Sequence, residues 1–212
     1  MNARSPLYAE YWGKSRTDED GRHTSHPLAY HALDVAAVGS VLFKNDPLIR
    51  ERLSILCIPE KGLEALICFF LAIHDTGKFS TPSFQRQGDP HGIRIGHHSD
   101  LGYLLWKESL LPGAMEDGWL RVDGADPERC QDIITPLLRA ACGHHGRPPN
   151  EDAIAFREAF LPGDIKAAEA FARDCATLFL GGAPLPLPAG RETVREAKKV
   201  SWILAGLCVL AD

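Results

Sequence analysis

Apolar residues recur at the three-and-four spacing of helices along most of this chain, and period-two runs rich in β-branched residues are almost absent. The pattern predicts an all-α fold, a helical bundle. Leu28, His31, Val35, Val38 and Leu42 trace one face of a helix over 27–43, with Ser25 as N-cap and Pro27 in the first turn. Over 60–75, Leu63, Leu66, Ile67, Phe70, Leu71 and Ile73 cover more than one face, which predicts a central helix ended by Gly77. Further helices are expected over 97–110, closed by Pro112 and Gly113, and over 127–142, where Pro136 predicts a kink or break. Three more follow over 151–160, 164–180 and 191–211. Residues 1–25 lack a sustained period and read as an N-terminal arm, whereas 78–92, with Pro82, Gly88, Pro90 and Gly92, reads as a long loop. The proline-rich stretch 181–190 is short enough to be a rigid internal turn, so 1–212 is expected to form one domain.

Composition narrows the class. With 45% apolar and 24% charged residues the chain is neither disordered nor a stapled mini-protein. Twenty-three Lys and Arg against 28 Asp and Glu, net −5, give no global attraction for nucleic acid or an anionic membrane. No apolar run approaches the ~18 residues needed to cross a bilayer, and the N-terminus lacks a signal peptide's apolar segment, so a cytoplasmic protein with no membrane partner is expected. The six cysteines are widely spaced and make no zinc knuckle or disulfide framework.

The nine histidines change the picture, because they fall in groups beside apolar helical stretches. His74 and Asp75 stand at the end of the central helix, where a loosened last turn beside Gly77 lets both side chains reach one ion; a hydrogen-bonded pair at a helix end is the plainer alternative. A carboxylate there can bridge two cations. His144 and His145 lie between Gly143 and Gly146 on backbone that can turn both inward, unless they are simply solvated. At the start of the 97–110 helix, His98 shares the apolar face with Leu101 and Leu105, while His97 points about 100° away; His98 could equally be a core-edge histidine. His31 occupies a similar stripe position, and Asp212 ends an apolar helix.

Trp12-Gly13-Lys14-Ser15, His26-Pro27-Leu28 with His31 and Asp34, His74-Asp75-Thr76-Gly77-Lys78-Phe79 with Ser83-Phe84-Gln85, Gly143-His144-His145-Gly146, and Leu210-Ala211-Asp212 follow one another in this order. Together they resemble the HD nuclease domain of the CRISPR-associated helicase-nuclease of type I interference systems, within the HD phosphohydrolase superfamily. The resemblance spans nearly the whole chain. It implies an HD-domain bundle with a metal centre in its core. One ion would be held by His31, His74, Asp75 and Asp212, and a second by Asp75, His98, His144 and His145, with His91 and His97 as alternatives to His98. His74, Asp75 and Lys78 would be catalytic, Lys78 lying near the scissile phosphate, and His26 and Asp34 would orient ligands. The chain stops directly after Asp212, where the family pattern continues with tryptophan, so an excised domain is expected.

The activity so implied is that of a metal-dependent endonuclease or exonuclease hydrolysing single-stranded DNA exposed during CRISPR interference. Phe79, Phe84, Gln85, Arg86 and Arg94 would form a wall along which the strand stacks and slides. Partners would be a superfamily 2 helicase, in cis or in trans, and the RNA-guided surveillance complex, with sequence specificity residing in guide pairing. Imidazole and carboxylate donors suit two divalent transition ions, iron, manganese, cobalt, nickel or zinc, with magnesium possible. Two other functions fit the same residues: an HD phosphohydrolase acting on small nucleotides or cyclic dinucleotides, and a non-catalytic helical interaction domain with a structural metal.

Overall fold

The computed structural model describes residues 5–17, 20, 23–86, 95–152 and 154–212. Strands Trp12–Thr17 (β1) and His23–Pro27 (β2) pair antiparallel and lead directly into the helix Leu28–Asn45 (α1). Then come Pro47–Leu53 (α2), Glu60–Ala72 (α3), His98–Leu105 (α4), Leu111–Glu116 (α5), Pro127–Cys142 (α6), Phe156–Ala159 (α7), Pro162–Leu180 (α8) and Arg191–Ala211 (α9). The fold is mostly helical, as the periodicity predicts.

Helix α3 is the central element, packed against α1, α8, α6 and α9, and Phe69, Phe70 and Leu71 at its C-terminal end, with Ile73 just past it, are wholly buried. Burying a side chain of that size contributes about 1.5–3 kcal/mol, so the end of α3 is among the most firmly fixed parts of the molecule. Helix α6 lies along α9, bringing Ile133, Ile134, Leu137 and Ala141 into the core beside Val200, Leu204, Leu207 and Cys208. The 181–190 turn is tied down by a hydrogen bond from the Leu185 amide to the Arg121 carbonyl (2.7 Å) and by burial of Leu185 and Leu187. Among the described residues, no helix is long and apolar enough to cross a membrane.

Several boundaries differ from the sequence-based expectation. Part of the arm is a hairpin, whose strands KSRT and HTSH are polar on both faces and so show no alternation. Ser25 lies inside β2 rather than capping α1; the Leu28 amide instead donates to the Tyr11 carbonyl at 2.8 Å. Pro112 and Gly113 do not close a helix, because a wide π-type turn at Trp106–Leu110 precedes the proline and the chain continues as α5 to Glu116. Helix α6 runs unbroken through Pro136. The expected 151–160 helix shrinks to the single turn α7, and the seven-residue α2, with only Leu53 buried, gives too short a pattern to read.

Candidate metal centre

Helix α3 ends at Ala72 and the chain passes through a turn into a 3-10 helix, Thr76–Phe79. This unwinding lets His74 and Asp75, neighbours in sequence, face one point, and both are buried, at 0% and 1% exposure. His74 Nδ1–H donates to the Leu71 carbonyl (2.6 Å), which leaves Nε2 as the free lone pair and aims it inward. His144, two residues beyond the end of α6, repeats the device with the Ala141 carbonyl (3.2 Å).

Asp75 is the hub, and its two oxygens serve different neighbours. Oδ2 lies 3.0 Å from His31 Nε2 and 3.3 Å from His74 Nε2. Oδ1 lies 3.4 Å from His98 Nε2 and 3.5 Å from His144 Nε2. Asp212, just past α9, places Oδ1 3.2 Å from His31 Nε2. The donor atoms of His31, His74, Asp75 and Asp212 thus cluster within 4.8 Å of one another, and those of Asp75, His98 and His144 do the same. Four polypeptide segments far apart in sequence converge on one carboxylate.

Three atoms at this convergence, His74 Nε2, Asp75 Oδ1 and His144 Nε2, are buried without any hydrogen-bond partner. Orphaning a buried polar atom costs about 1–3 kcal/mol, and here three orphans face one another around a carboxylate. A divalent cation satisfies all of them, so the residues fit a metal. The electrostatics agree. Burial pushes Asp75 up, but His74, His31 and Lys78 around it hold it well below the usual carboxylate range. Burial also drives His98 down to about 2 and His144 to about 4, which keeps both neutral and able to ligate. Lys78, 5% exposed, forms an ion pair with Asp75 Oδ2 and sits 5.4 Å over the Phe84 ring.

The interior of the cluster is closed, whereas His98 is partly exposed and His145 reaches solvent, so the centre opens on that side. His145 stands at this rim, its Nε2 2.7 Å from His98 Nε2. His97 caps α4: its Nδ1 accepts from the Ser99 amide (3.3 Å), and the ring stacks beside His98 with centroids 4.2 Å apart. His98 rather than His97 therefore faces Asp75. His91 and Arg94 lie outside the described residues.

Other expected site residues fall elsewhere. Phe79 is 0% exposed and packs between Tyr11 and Phe171, so it cannot stack on a strand. Phe84 is nearly buried between Trp12 and His98. The Gln85 side chain is spent on backbone, accepting from Trp12 N (3.2 Å) and donating to Trp12 O (3.0 Å) and Lys78 O (2.7 Å), and ties β1 to the 76–79 turn. Arg86 is exposed. His26 and Asp34 pair with each other at 2.9 Å on the surface, and the His26 ring only flanks His31, 6.5 Å away.

Sequence reasoning assigned no role to three polar residues that brace the centre. Asp100 accepts from Arg147 (2.9 Å) and from the Asn150 amide (2.8 Å), tying the 144–150 segment to α4. Asp164 accepts from Tyr11, from the amide and hydroxyl of Thr81, and from the Leu161 amide. Lys14 reaches Asp212 from the hairpin. Asp100 and Asp164, lone charged residues at helix starts, carry no pattern that separates them from solvated ones, and Lys14 lies in a strand with no apolar face.

A helical bundle whose core unwinds at a His-Asp pair, with further histidines converging on the same carboxylate, defines the HD class of metal-centred phosphohydrolase domains. The family profile described as "Cas3, HD domain" matches residues 12–212, and the chain belongs to that family. The "CRISPR-associated endonuclease/helicase Cas3" of Escherichia coli (strain K12) is 28% identical over 233 residues, covering 95% of this chain but 25% of the relative, so the chain spans about a quarter of that protein's length. Among solved structures, T. fusca Cas3 with ATP has a TM-score of 0.66 at 20% identity, over 97% of this chain and 22% of that one. The Thermus thermophilus cas3 HD domain in the presence of Ni2+ has a TM-score of 0.59 at 24% identity, over 97% and 74%. A chain of a "CRISPR RNA-guided surveillance complex, pre-nicking" has a TM-score of 0.67 at 20% identity, over 97% and 24%.

Proposed function

We propose that this domain is a divalent-metal-dependent nuclease that hydrolyses phosphodiester bonds of single-stranded DNA. The observation that carries the reading is the trio of orphaned buried atoms, His74 Nε2, Asp75 Oδ1 and His144 Nε2, around one ionised carboxylate. In it, His31, His74, Asp75 and Asp212 hold one ion and Asp75, His98, His144 and His145 hold a second. Bound there, divalent cations supply Lewis acidity toward a phosphodiester and acidify water enough to make it a nucleophile near neutral pH.

The chain's own residues do the rest. The Leu71 and Ala141 carbonyls fix the tautomers of His74 and His144, so neither ring reorganises during turnover. Asp75 contributes its charge to both positions through separate oxygens. Lys78, anchored against Phe84, holds a positive charge beside the place where the phosphate must lie. Closure on the inner side limits approach to the rim of His98 and His145, where an extended strand can pass.

The E. coli relative is named an endonuclease/helicase, and one structural neighbour is a chain of an RNA-guided surveillance complex. By that likeness, a superfamily 2 helicase in cis or in trans delivers the strand, and guide pairing chooses it. This also accounts for a nuclease of net charge −5, since backbone attraction need not come from the domain itself. The test is a comparison of circular single-stranded DNA, nucleoside triphosphates and cyclic dinucleotides as substrates of metal-stripped protein reloaded with Mn2+, Co2+ or Ni2+. Cleavage of circular DNA that is lost in Asp75→Asn supports the reading. Turnover of the small nucleotides alone would replace it with a small-molecule phosphohydrolase.

A further inference from the structure

The polar hairpin at the N-terminus touches the metal centre at more than one point. Gly13, at the irregularity in β1, packs so closely on α1 that a Cβ there would meet the His31 Cβ at 3.1 Å and the Leu28 Cα at 3.1 Å. One residue earlier, Trp12 is locked to Gln85 through both backbone groups, and its ring lies 4.6 Å from Phe84. One residue later, Lys14 Nζ lies 3.0 Å from Asp212 Oδ1 and donates to the Asp212 backbone oxygen at 2.9 Å. Three consecutive residues therefore contact the 76–86 segment, His31 and Asp212.

Asp212 most needs such help. The other members of its cluster are buried and held by packing or by carbonyls, whereas the Asp212 side chain is 20% exposed. A partly exposed carboxylate samples several rotamers, and ordering it costs entropy each time an ion binds. A two-point contact from an anchored lysine removes that freedom beforehand. It also draws Oδ1 toward Lys14 and His31, so the second carboxylate oxygen is the one left uncommitted.

We propose that Lys14 is a positioning residue that presets Asp212 as a ligand, with β1 acting as the strap that holds Lys14 in place. The proposal rests on the metal-centre reading above and deepens it. Lys14 acts through Asp212 and touches neither the ions nor the substrate. The pair is half exposed on the lysine side, at 50%, and exposed ion pairs contribute little to stability. Removing the amine therefore leaves the fold standing.

Mn2+ titrations of the intact chain, followed by electron paramagnetic resonance of the free ion, test this. The unsubstituted protein binds two equivalents. Lys14→Met retains one at unchanged affinity and weakens the other about tenfold or more, the effect expected of losing an orienting partner. Lys14→Arg recovers most of that loss, and in an Asp212→Asn background Lys14→Met has no further effect. The metal-free melting temperature of Lys14→Met matches that of the unsubstituted protein. Two undiminished equivalents in Lys14→Met overturn the proposal, as does an equal loss in the Asp212→Asn background. Loss of both equivalents with a lowered melting temperature marks a merely structural role and overturns it too. Failure of the unsubstituted protein to bind Mn2+ strikes the metal-centre reading itself, and is seen before any variant is made.

Discussion

His98 and His145 bring their Nε2 atoms to 2.7 Å of each other at the open rim of the site. Two imidazoles at this distance need one proton between them or a shared cation. Burial keeps His98 neutral, so in the metal-free protein one of the two Nε2 atoms carries a hydrogen and the other accepts it. Binding an ion at Asp75, His98 and His144 must displace that proton. His145→Ala is expected to weaken this second position about tenfold or more while leaving the position at His31 and His74 unchanged. Titration calorimetry with Zn2+ measures both; equal weakening of the two positions would contradict the assignment of His145.

Protonation sets the stability of the metal-free fold. His144 and His98 titrate near 4 and 2 when folded, against about 6.5 when unfolded. Between those values the unfolded chain binds more protons, so stability falls as pH drops below about 6.5. His31 works the other way: burial opposes its charge, but Asp212 and Asp75 raise it, and that contribution is lost as pH rises through its folded value. The melting temperature in EDTA is expected to peak near neutrality and to decline more steeply on the acid side, where two histidines lower it, than on the alkaline side, where His31 alone does. A flat profile from pH 7 to 4.5 would contradict this.

Lys78 and Asp75 form a buried pair, and removing one partner strands the other. Asp75→Asn is expected to leave the Lys78 ammonium unpaired at 5% exposure, costing the metal-free protein about 3–5 kcal/mol. Lys78→Met leaves Asp75 with its histidines and costs less. The double variant is expected to be more stable than Asp75→Asn alone. Denaturant unfolding of the three metal-free proteins checks the order.

Gly77 is required by packing rather than by a left-handed turn. A Cβ there would lie 1.8 Å from the His98 carbonyl oxygen and 2.5 Å from the Gly102 nitrogen, both rigid backbone. Gly77→Ala is expected to push α4 away, carrying His98 off Asp75, with a loss of several kcal/mol in stability. Gly206→Ala, where a Cβ meets nothing within 4 Å, is the control and should be neutral or stabilising. A Gly77→Ala protein that binds two ions normally would contradict the packing argument.

The convergence of His31, His74, Asp75, His98 and His144 was legible because each imidazole sits beside apolar positions or between glycines that end a helix. The hairpin was not, since Lys14, Ser15, Arg16 and Thr17 face His26, Ser25, Thr24 and His23 with no apolar side to betray a strand. Phe79 and Gln85 show the opposite failure. Read along the chain they look like a loop's binding surface, yet one fills the core and the other cross-links backbone, because the segment folds into tight turns that periodicity does not encode. Pro112 misled for a similar reason: a wide turn before it absorbs the missing amide.

The central claim is that two ions share Asp75. Anomalous scattering at the metal edge from crystals of the Mn2+-loaded domain tests it most directly. Two peaks about 3.5–4 Å apart, one beside His31, His74 and Asp212 and the other beside His98 and His144, with Asp75 between them, are predicted. A single peak in a closed four-coordinate site, or peaks away from Asp75, would contradict the account.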